Sequence, residues 1–219
     1  IARPLQLSLY LFWVYFVITV VCGLSYWTVG MSPFDAVNHA MSTVSTAGYS
    51  TRDASFGYFE GHAVKWIAVL FMTSGALPFV IYIKLIKGDG LALWRDDQVR
   101  AFLTILCVAV VAMAAWLWTA GMPARNALTE AAFNVTSVVT TTGFASSDYS
   151  QWGTLPITLI LVLTFFGGCT GSSAGAIKTF RMQIMLMVAH EQIRKLVLPN
   201  LLFRRIYNGE PVSDDIVRS

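Results

Sequence analysis

The chain alternates long apolar runs with short polar segments. No charged residue interrupts residues 4–34, 66–83, 101–124 or 149–177, and each run meets or exceeds the ~18 residues of a membrane-spanning helix. Four spans are therefore predicted. Between the first two, Ser32 suits a helix N-cap, Pro33 the first helical position, and Asp35 the first turn, where the helix dipole favours negative charge. This predicts a helix from Pro33 to about Ser45. Between the last two, Asn126 and Glu130 give a looser version of the same start, before a helix over residues 131–140. At about 13 residues neither helix can cross a hydrocarbon layer of about 30 Å. Each must enter the membrane and return.

The two halves share one plan. Trp27-Thr28-Val29-Gly30-Met31 recurs as Trp118-Thr119-Ala120-Gly121-Met122, and Ser42–Tyr49 (STVSTAGY) as Ser137–Phe144 (SVVTTTGF). Asp53 is echoed by Asp148, and Phe71 leads through small residues to Lys84 much as Phe165 leads to Lys178. Each unit reads span, short helix, glycine-containing turn, span, over about a hundred residues. With two spans per unit the repeats run parallel, so a rotation about the membrane normal can relate them, which is the geometry of a pore.

A re-entrant helix that starts at the outer face points its partially negative C-terminal end into the membrane, where it attracts a cation. The backbone after it must line a wet cavity or be buried in protein. Thr46, Ala47, Gly48, Tyr49 and Thr141, Thr142, Gly143, Phe144 occupy that place. Successive backbone carbonyls aimed one way can replace the water shell of a potassium ion. Gly48 and Gly143 supply the positive φ that such aiming needs. Thr46 and Thr141 add hydroxyl oxygens, and Tyr49 and Phe144 are expected to wedge outward and brace the loops. One T-x-G-[YF] is a common surface turn; two at matched places in a membrane repeat read as a filter.

With STVSTAGYS, TSVVTTTGF and GGCTGSSAGAIKTFR, the chain resembles the Trk/Ktr/HKT superfamily of potassium transporters, most closely bacterial Trk-type membrane subunits. That resemblance covers nearly the whole chain. It implies an all-α integral membrane fold in which four units surround one pore, each giving one filter strand with one glycine. These two units match the second and third. Two flanking pore repeats of the same protein, a homodimer and a cytoplasmic nucleotide-binding regulatory subunit are implied as partners. Ser50 and Ala145 stand where the second glycine of the T-V-G-Y-G filter of tetrameric potassium channels would be. In plant relatives a serine replacing a filter glycine favours sodium, usually in a unit outside these two.

Gly167, Gly168, Gly171 and Gly175, with Thr170, Ser172 and Ser173, fall inside the fourth apolar run and lead to Lys178. Two readings stay open. Glycines four apart can form a smooth face for helix packing, or the segment breaks the helix as a flexible loop beneath the filter. The resemblance implies the second, an intramembrane gate. A phosphate-binding loop is disfavoured, since the lysine is misplaced for one. Lys178 can reach the cytoplasmic interface or face the ion path.

Composition agrees with lipid as the main solvent: of 219 residues 56% are apolar and 12% charged, against about 45–50% and about 25% in soluble domains. The first run lacks an initiator Met and is too long for a signal peptide, so it reads as structure within a longer protein. The net charge is +3, and twelve of the 15 Lys and Arg fall on one side of the membrane, which the positive-inside rule makes cytoplasmic. As topology signals they argue against nucleic-acid binding. The other side carries Asp35, Asp53, Glu60, Glu130 and Asp148 against Arg52, Lys65 and Arg125, a weakly acidic mouth that would concentrate cations. Cys22, Cys107 and Cys169 read as small packing residues. His39, His62 and His190 lack partners at ligand spacing, and Trp and Tyr near the run ends suit interfacial anchors.

The expected organisation is a pore repeat (1–88), a cytoplasmic linker (89–100), a second repeat with a broken last span (101–190) and a cytoplasmic or interfacial tail (191–219). The tail stretch from Glu191 to Arg205 suits the inner membrane surface. Linker 84–100 and tail 178–219 are placed inside a bacterial inner membrane. The expected activity is potassium transport, with no catalysis and no organic cofactor, potassium itself being the cargo. Sodium or mixed cation transport, and a non-conducting scaffold, are the alternatives. A membrane-embedded enzyme would need acid–base or metal ligands converging within the spans, and none is visible.

Overall fold

The computed structural model describes residues 4–197, 206–208 and 210–211. In order, the helices are α1 (Pro4–Thr28), α2 (Pro33–Val44), α3 (His62–Ala76), α4 (Phe79–Ile86), α5 (Ala92–Arg95), α6 (Asp97–Thr119), α7 (Ala124–Val139), α8 (Thr154–Leu163) and α9 (Thr179–Val197). A two-stranded antiparallel ribbon, β1 (Ile206–Tyr207) with β2 (Glu210–Pro211), follows. Of the stretch expected along the inner surface, residues 191–197 continue α9, while 198–205 lie outside the described residues.

Among the described residues, only α1 and α6 are continuous helices long and apolar enough to cross a membrane. α1 is apolar on every side and leaves Leu9, Phe12, Trp13 and Phe16 exposed, as a lipid-facing span does. The second expected span is not continuous. α3 and α4 meet at a 94° bend, because Pro78 has no N–H to donate and holds Leu77 in an extended conformation (φ −84°, ψ 155°). The fourth apolar run is also interrupted: α8 ends at Leu163, residues 164–178 are not helical, and α9 resumes at Thr179. Its glycines therefore form no smooth helix face.

α2 begins as its sequence dictates, with the Ser32 hydroxyl accepting the Asp35 N–H at 3.1 Å. α7 starts earlier than expected. Pro123 precedes it, Asn126 lies within its first turn, and Glu130 sits on its second turn. The extra turn packs the start of α7 on α3, where His62 Nδ1 meets the Thr129 hydroxyl at 3.0 Å.

The core has two clusters, one per unit, and they interlock. Phe133 and Phe144 of the second unit lie in the cluster built around Tyr26, Val44 and Met72, while Ala76, Leu77 and Ile81 of the first lie in the cluster around Phe102, Met113 and Val135. Cys22 and Cys169 are buried in packing roles, but Cys107 is exposed on α6.

The two breaks face each other. The end of α3 leaves carbonyls without a following helical turn, and the non-helical segment supplies their donors: Ser173 N–H to Gly75 O at 3.1 Å and Cys169 N–H to Ala76 O at 2.9 Å. In return Phe79 N–H donates to Gly171 O at 3.0 Å. Gly168 permits this approach, since a Cβ there would lie 2.6 Å from Ala174 Cβ and 2.8 Å from Ala76 O. Gly168→Ala is expected to destabilise the full-length protein by about 1–3 kcal/mol through overpacking against backbone, read as a lowered detergent-unfolding temperature. Gly90→Ala, where a Cβ meets nothing within 4 Å, serves as the unchanged control.

Candidate filter and gate

Both re-entrant helices end in the same way. After α2, Thr46 N–H donates to Thr43 O and Ala47 N–H to Ser42 O; after α7, Thr141 N–H donates to Val138 O and Thr142 N–H to Ser137 O. This is a Schellman ending, whose left-handed position usually takes glycine. Here it takes threonine, with φ +53° at Thr46 and +58° at Thr141, a conformation a β-branched residue adopts only under constraint. Gly48 (φ +73°) and Gly143 (φ +86°) follow two residues later. Alternating hands along Thr46-Ala47-Gly48 and Thr141-Thr142-Gly143 turn successive carbonyls toward one side, unlike the alternation of a strand.

The two loops touch. A Cβ on Gly48 would stand 1.9 Å from the Thr142 carbonyl oxygen, whereas one on Gly143 would meet nothing within 4 Å. Phe144 is 2% exposed and wedges outward, its ring 4.5 Å from Phe56 and 6.1 Å from His39. Tyr49 has no such partner among the described residues. It is 80% exposed, because Phe144 inserts into the preceding unit and the described residues hold no unit in the matching place for Tyr49.

Behind each loop stands a carboxylate thirteen residues before the filter glycine, Asp35 and Glu130. Thr51 Oγ1 donates to Asp35 Oδ1 at 2.5 Å and Arg52 Nη2 to Oδ2 at 2.9 Å. Ser146 and Ser147 donate to Glu130 Oε2 at 2.6 and 2.9 Å, and Lys65 of α3 pairs with its other oxygen. Both carboxylates thus hold the chain that leaves the candidate filter loop. Hydrogen bonds from Thr51 and then Arg52 hold Asp35 down at about 2. Burial pushes Glu130 up, but donation from Lys65, Ser146 and Ser147 outweighs it and leaves the carboxyl below its usual range.

Asp35 and Glu130 face inward in ion pairs, and Asp53, Glu60 and Asp148 remain exposed. Nine residues before each filter glycine stand His39 and Asn134. His39 Nδ1 donates to Asp35 O at 2.7 Å and Nε2 meets the Ser50 hydroxyl at 2.9 Å, within a box of Phe56, Phe59 and Phe144. Asn134 Nδ2 donates to Ser146 Oγ at 2.8 Å. The equal offsets in both repeats were the signal available for these braces, and it emerges only when the halves are aligned on the glycines.

The glycine-rich residues come together at the inner end of the second loop. Gly167 allows closure of the segment on itself, since a Cβ there would lie 2.1 Å from Gly175 O. Thr179 Oγ1 donates to Gly167 O at 3.0 Å, Gln98 Oε1 accepts Thr170 N–H at 2.8 Å, and Ser172 Oγ donates to Cys169 O at 2.6 Å. The Lys178 ammonium folds back onto the Ala174 carbonyl, with Ser172 O at 3.4 Å. Gly175 N–H donates to Thr141 Oγ1 at 2.6 Å, joining this segment to the filter loop.

Residues 3–219 match the family model for TrkH, described as cation transport protein. The chain belongs to the TrkH family. This TrkH-family chain is 45% identical over 201 residues to the Trk system potassium uptake protein TrkI of Halomonas elongata, and 33% identical over 193 residues to TrkH of Salmonella typhimurium. These alignments take in 91% and 87% of the chain but 41% and 40% of the relatives, so the chain spans about two-fifths of the curated relatives it matches. The crystal structure of the potassium transporter TrkH from Vibrio parahaemolyticus superposes with a TM-score of 0.93 at 28% identity, over 99% of this chain and 47% of that one. The helical membrane fold expected from the sequence is thereby established.

Glu130→Gln is expected to cost about 1.5–3 kcal/mol, since it weakens charge-assisted hydrogen bonds to a half-buried carboxylate. Thermal unfolding of the full-length protein measures it. The contribution of Asp35, whose pKa is lowered on folding, is fully present above about pH 4 and is lost as pH falls toward its folded value of about 2. Asp35→Asn is therefore expected to flatten the pH dependence of unfolding in that window.

Proposed function

We propose that this segment supplies two of the four strands of a potassium-selective filter, closed from the cytoplasmic side by the segment from Gly167 to Lys178. The observation that carries the reading is the paired loop geometry: two re-entrant helices whose C-terminal ends open into alternating-hand backbone, held from behind by Asp35 and Glu130. Such carbonyl arrays coordinate a dehydrated monovalent cation without a formal charge. The relatives' names, potassium uptake protein and potassium transporter, point to the same ion.

The exposed faces support a larger ring. On α2, Phe34, Val37 and Met41 are exposed; the matching positions on α7, Thr129, Ala132 and Thr136, are buried where α7 meets α3. A further unit docked on α2 as the first unit docks on α7 would cover this stripe and Tyr49. The open space before Gly143 suits a unit on the other side. The resemblance extends the proposal to a homodimeric subunit under a nucleotide-binding cytoplasmic ring, in a bacterial inner membrane, with linker 84–100 and tail 178–219 inside.

Rubidium and sodium flux through the full-length protein in proteoliposomes tests the filter. Gly48→Ser and Gly143→Ser are each expected to lower potassium-over-sodium selectivity by about tenfold, about 1.4 kcal/mol. Gly48→Ser is expected also to reduce folded yield, because its Cβ meets the Thr142 carbonyl. Unchanged selectivity in both variants rejects the filter, equal parent rates for the two ions favour a mixed-cation pathway, and no parent flux favours a scaffold.

A further inference from the structure

The two filter threonines differ in one respect. Thr46 Oγ1 donates locally to Ser45 O at 2.7 Å, above the end of α3, where Gly75 lies. Thr141 Oγ1 instead accepts the Gly175 N–H at 2.6 Å, across 34 residues of sequence. The glycine-rich segment has two arms with unequal support. Its first arm is fixed to neighbouring helices through Cys169, Thr170, Gly171 and Ser173, which bond to Ala76, Gln98, Phe79 and Gly75. Its second arm bonds mainly within the segment, Lys178 to Ala174 and Ile177 to Phe165 and Gly167. Gly175 and Ala176 are exposed, and Ala176 holds a left-handed φ of +53°. Among the described residues, the Thr141 hydrogen bond is what ties this second arm to the filter.

We infer that Thr141 is the latch of the gate: its hydroxyl holds the second arm shut, and the same oxygen completes the innermost cation position only when the arm leaves. This rests on the filter-and-gate reading above. A hydroxyl oxygen that accepts an N–H faces the positive end of a peptide dipole, which repels a cation approaching that oxygen. Releasing Gly175 removes this repulsion and frees a lone pair for coordination. Closing the gate and disabling the inner end of the filter are then one event. By linkage, a cation bound at Thr141 favours the open arm as much as the open arm favours that cation. Thr46 lacks the contact, so the latch belongs to the second unit alone.

Hydrogen exchange of residues 172–177 in the full-length protein in nanodiscs reads the arm directly, in potassium and in choline. The parent is expected to exchange faster in potassium. Thr141→Val, which keeps the shape and removes the hydroxyl, is expected to speed exchange about five- to tenfold in choline, as loss of one hydrogen bond predicts, and to abolish the potassium dependence. Thr141→Ser is expected to keep the parent's exchange pattern. Thr46→Val is expected to leave arm exchange unchanged whatever it does to ion selectivity. Parent-like exchange in a folded Thr141→Val overturns the latch. Where Thr141→Val also deprotects α7, showing that it has not folded, the parent and Thr141→Ser decide: a potassium effect confined to 172–177 supports the latch, and its absence overturns it. Rubidium-over-sodium flux through Gly48→Ser and Gly143→Ser separates the two readings: selectivity unchanged in both rejects the filter and with it the cation half of the latch, while faster arm exchange in Thr141→Val still upholds the hydroxyl's hold on the arm.

Discussion

At the depth of a bilayer, a carbonyl oxygen without a donor costs several kcal/mol, and α3 ends inside an apolar run of spanning length. Gly75 and Ala76 of α3 have no following turn to satisfy them, since Pro78 cannot continue the helix. Their donors come from Ser173 and Cys169, in a segment that has itself left helical geometry. Neither break is sustainable alone. Joined, they form a small backbone-paired region shared by the two units, and the rest of the interface is arranged around it. The glycines of the fourth run follow from this: Gly167 and Gly168 sit where backbone meets backbone at distances that exclude a Cβ.

A second constraint acts from the outer side. Each filter loop is short, contains a left-handed threonine, and would relax if its far end were free. Asp35 and Glu130 hold that far end through Thr51 and Arg52 in one unit, and Ser146, Ser147 and Lys65 in the other. The partners differ in kind while the geometry is kept. Lys65 reaches Glu130 from α3 of the preceding unit, as Phe144 reaches into the aromatic box around His39. The shape of these loops is therefore decided between units as much as within them, which accounts for the contrast between buried Phe144 and exposed Tyr49.

The repeat is symmetric in plan and asymmetric in its inner half. In the first unit the last span bends once and continues as α4; in the second it opens into fifteen non-helical residues before α9. Among the described residues, the second loop is hydrogen-bonded to that segment through Thr141. In the proposed pore, such units would set equivalent strands above an inequivalent floor.

By itself, the sequence determined the membrane setting, the doubled hairpin plan, the start and length of α2, and the positive φ of Gly48 and Gly143. These follow from local chemistry: apolar run length, capping residues and the steric freedom of glycine act over a few positions. The bend at Pro78 was also written locally, yet an apolar run of spanning length hid it, since proline is tolerated in membrane helices when neighbours satisfy the freed groups. Tertiary structure alone decided the rest. It turned Asp35 and Glu130 from mouth charges into braces, folded Lys178 back onto Ala174, and set Gly175 against Thr141. Each joins residues distant in sequence or settles a choice among nearby partners, and no periodicity or spacing encodes which donor reaches which acceptor once two broken helices pack together.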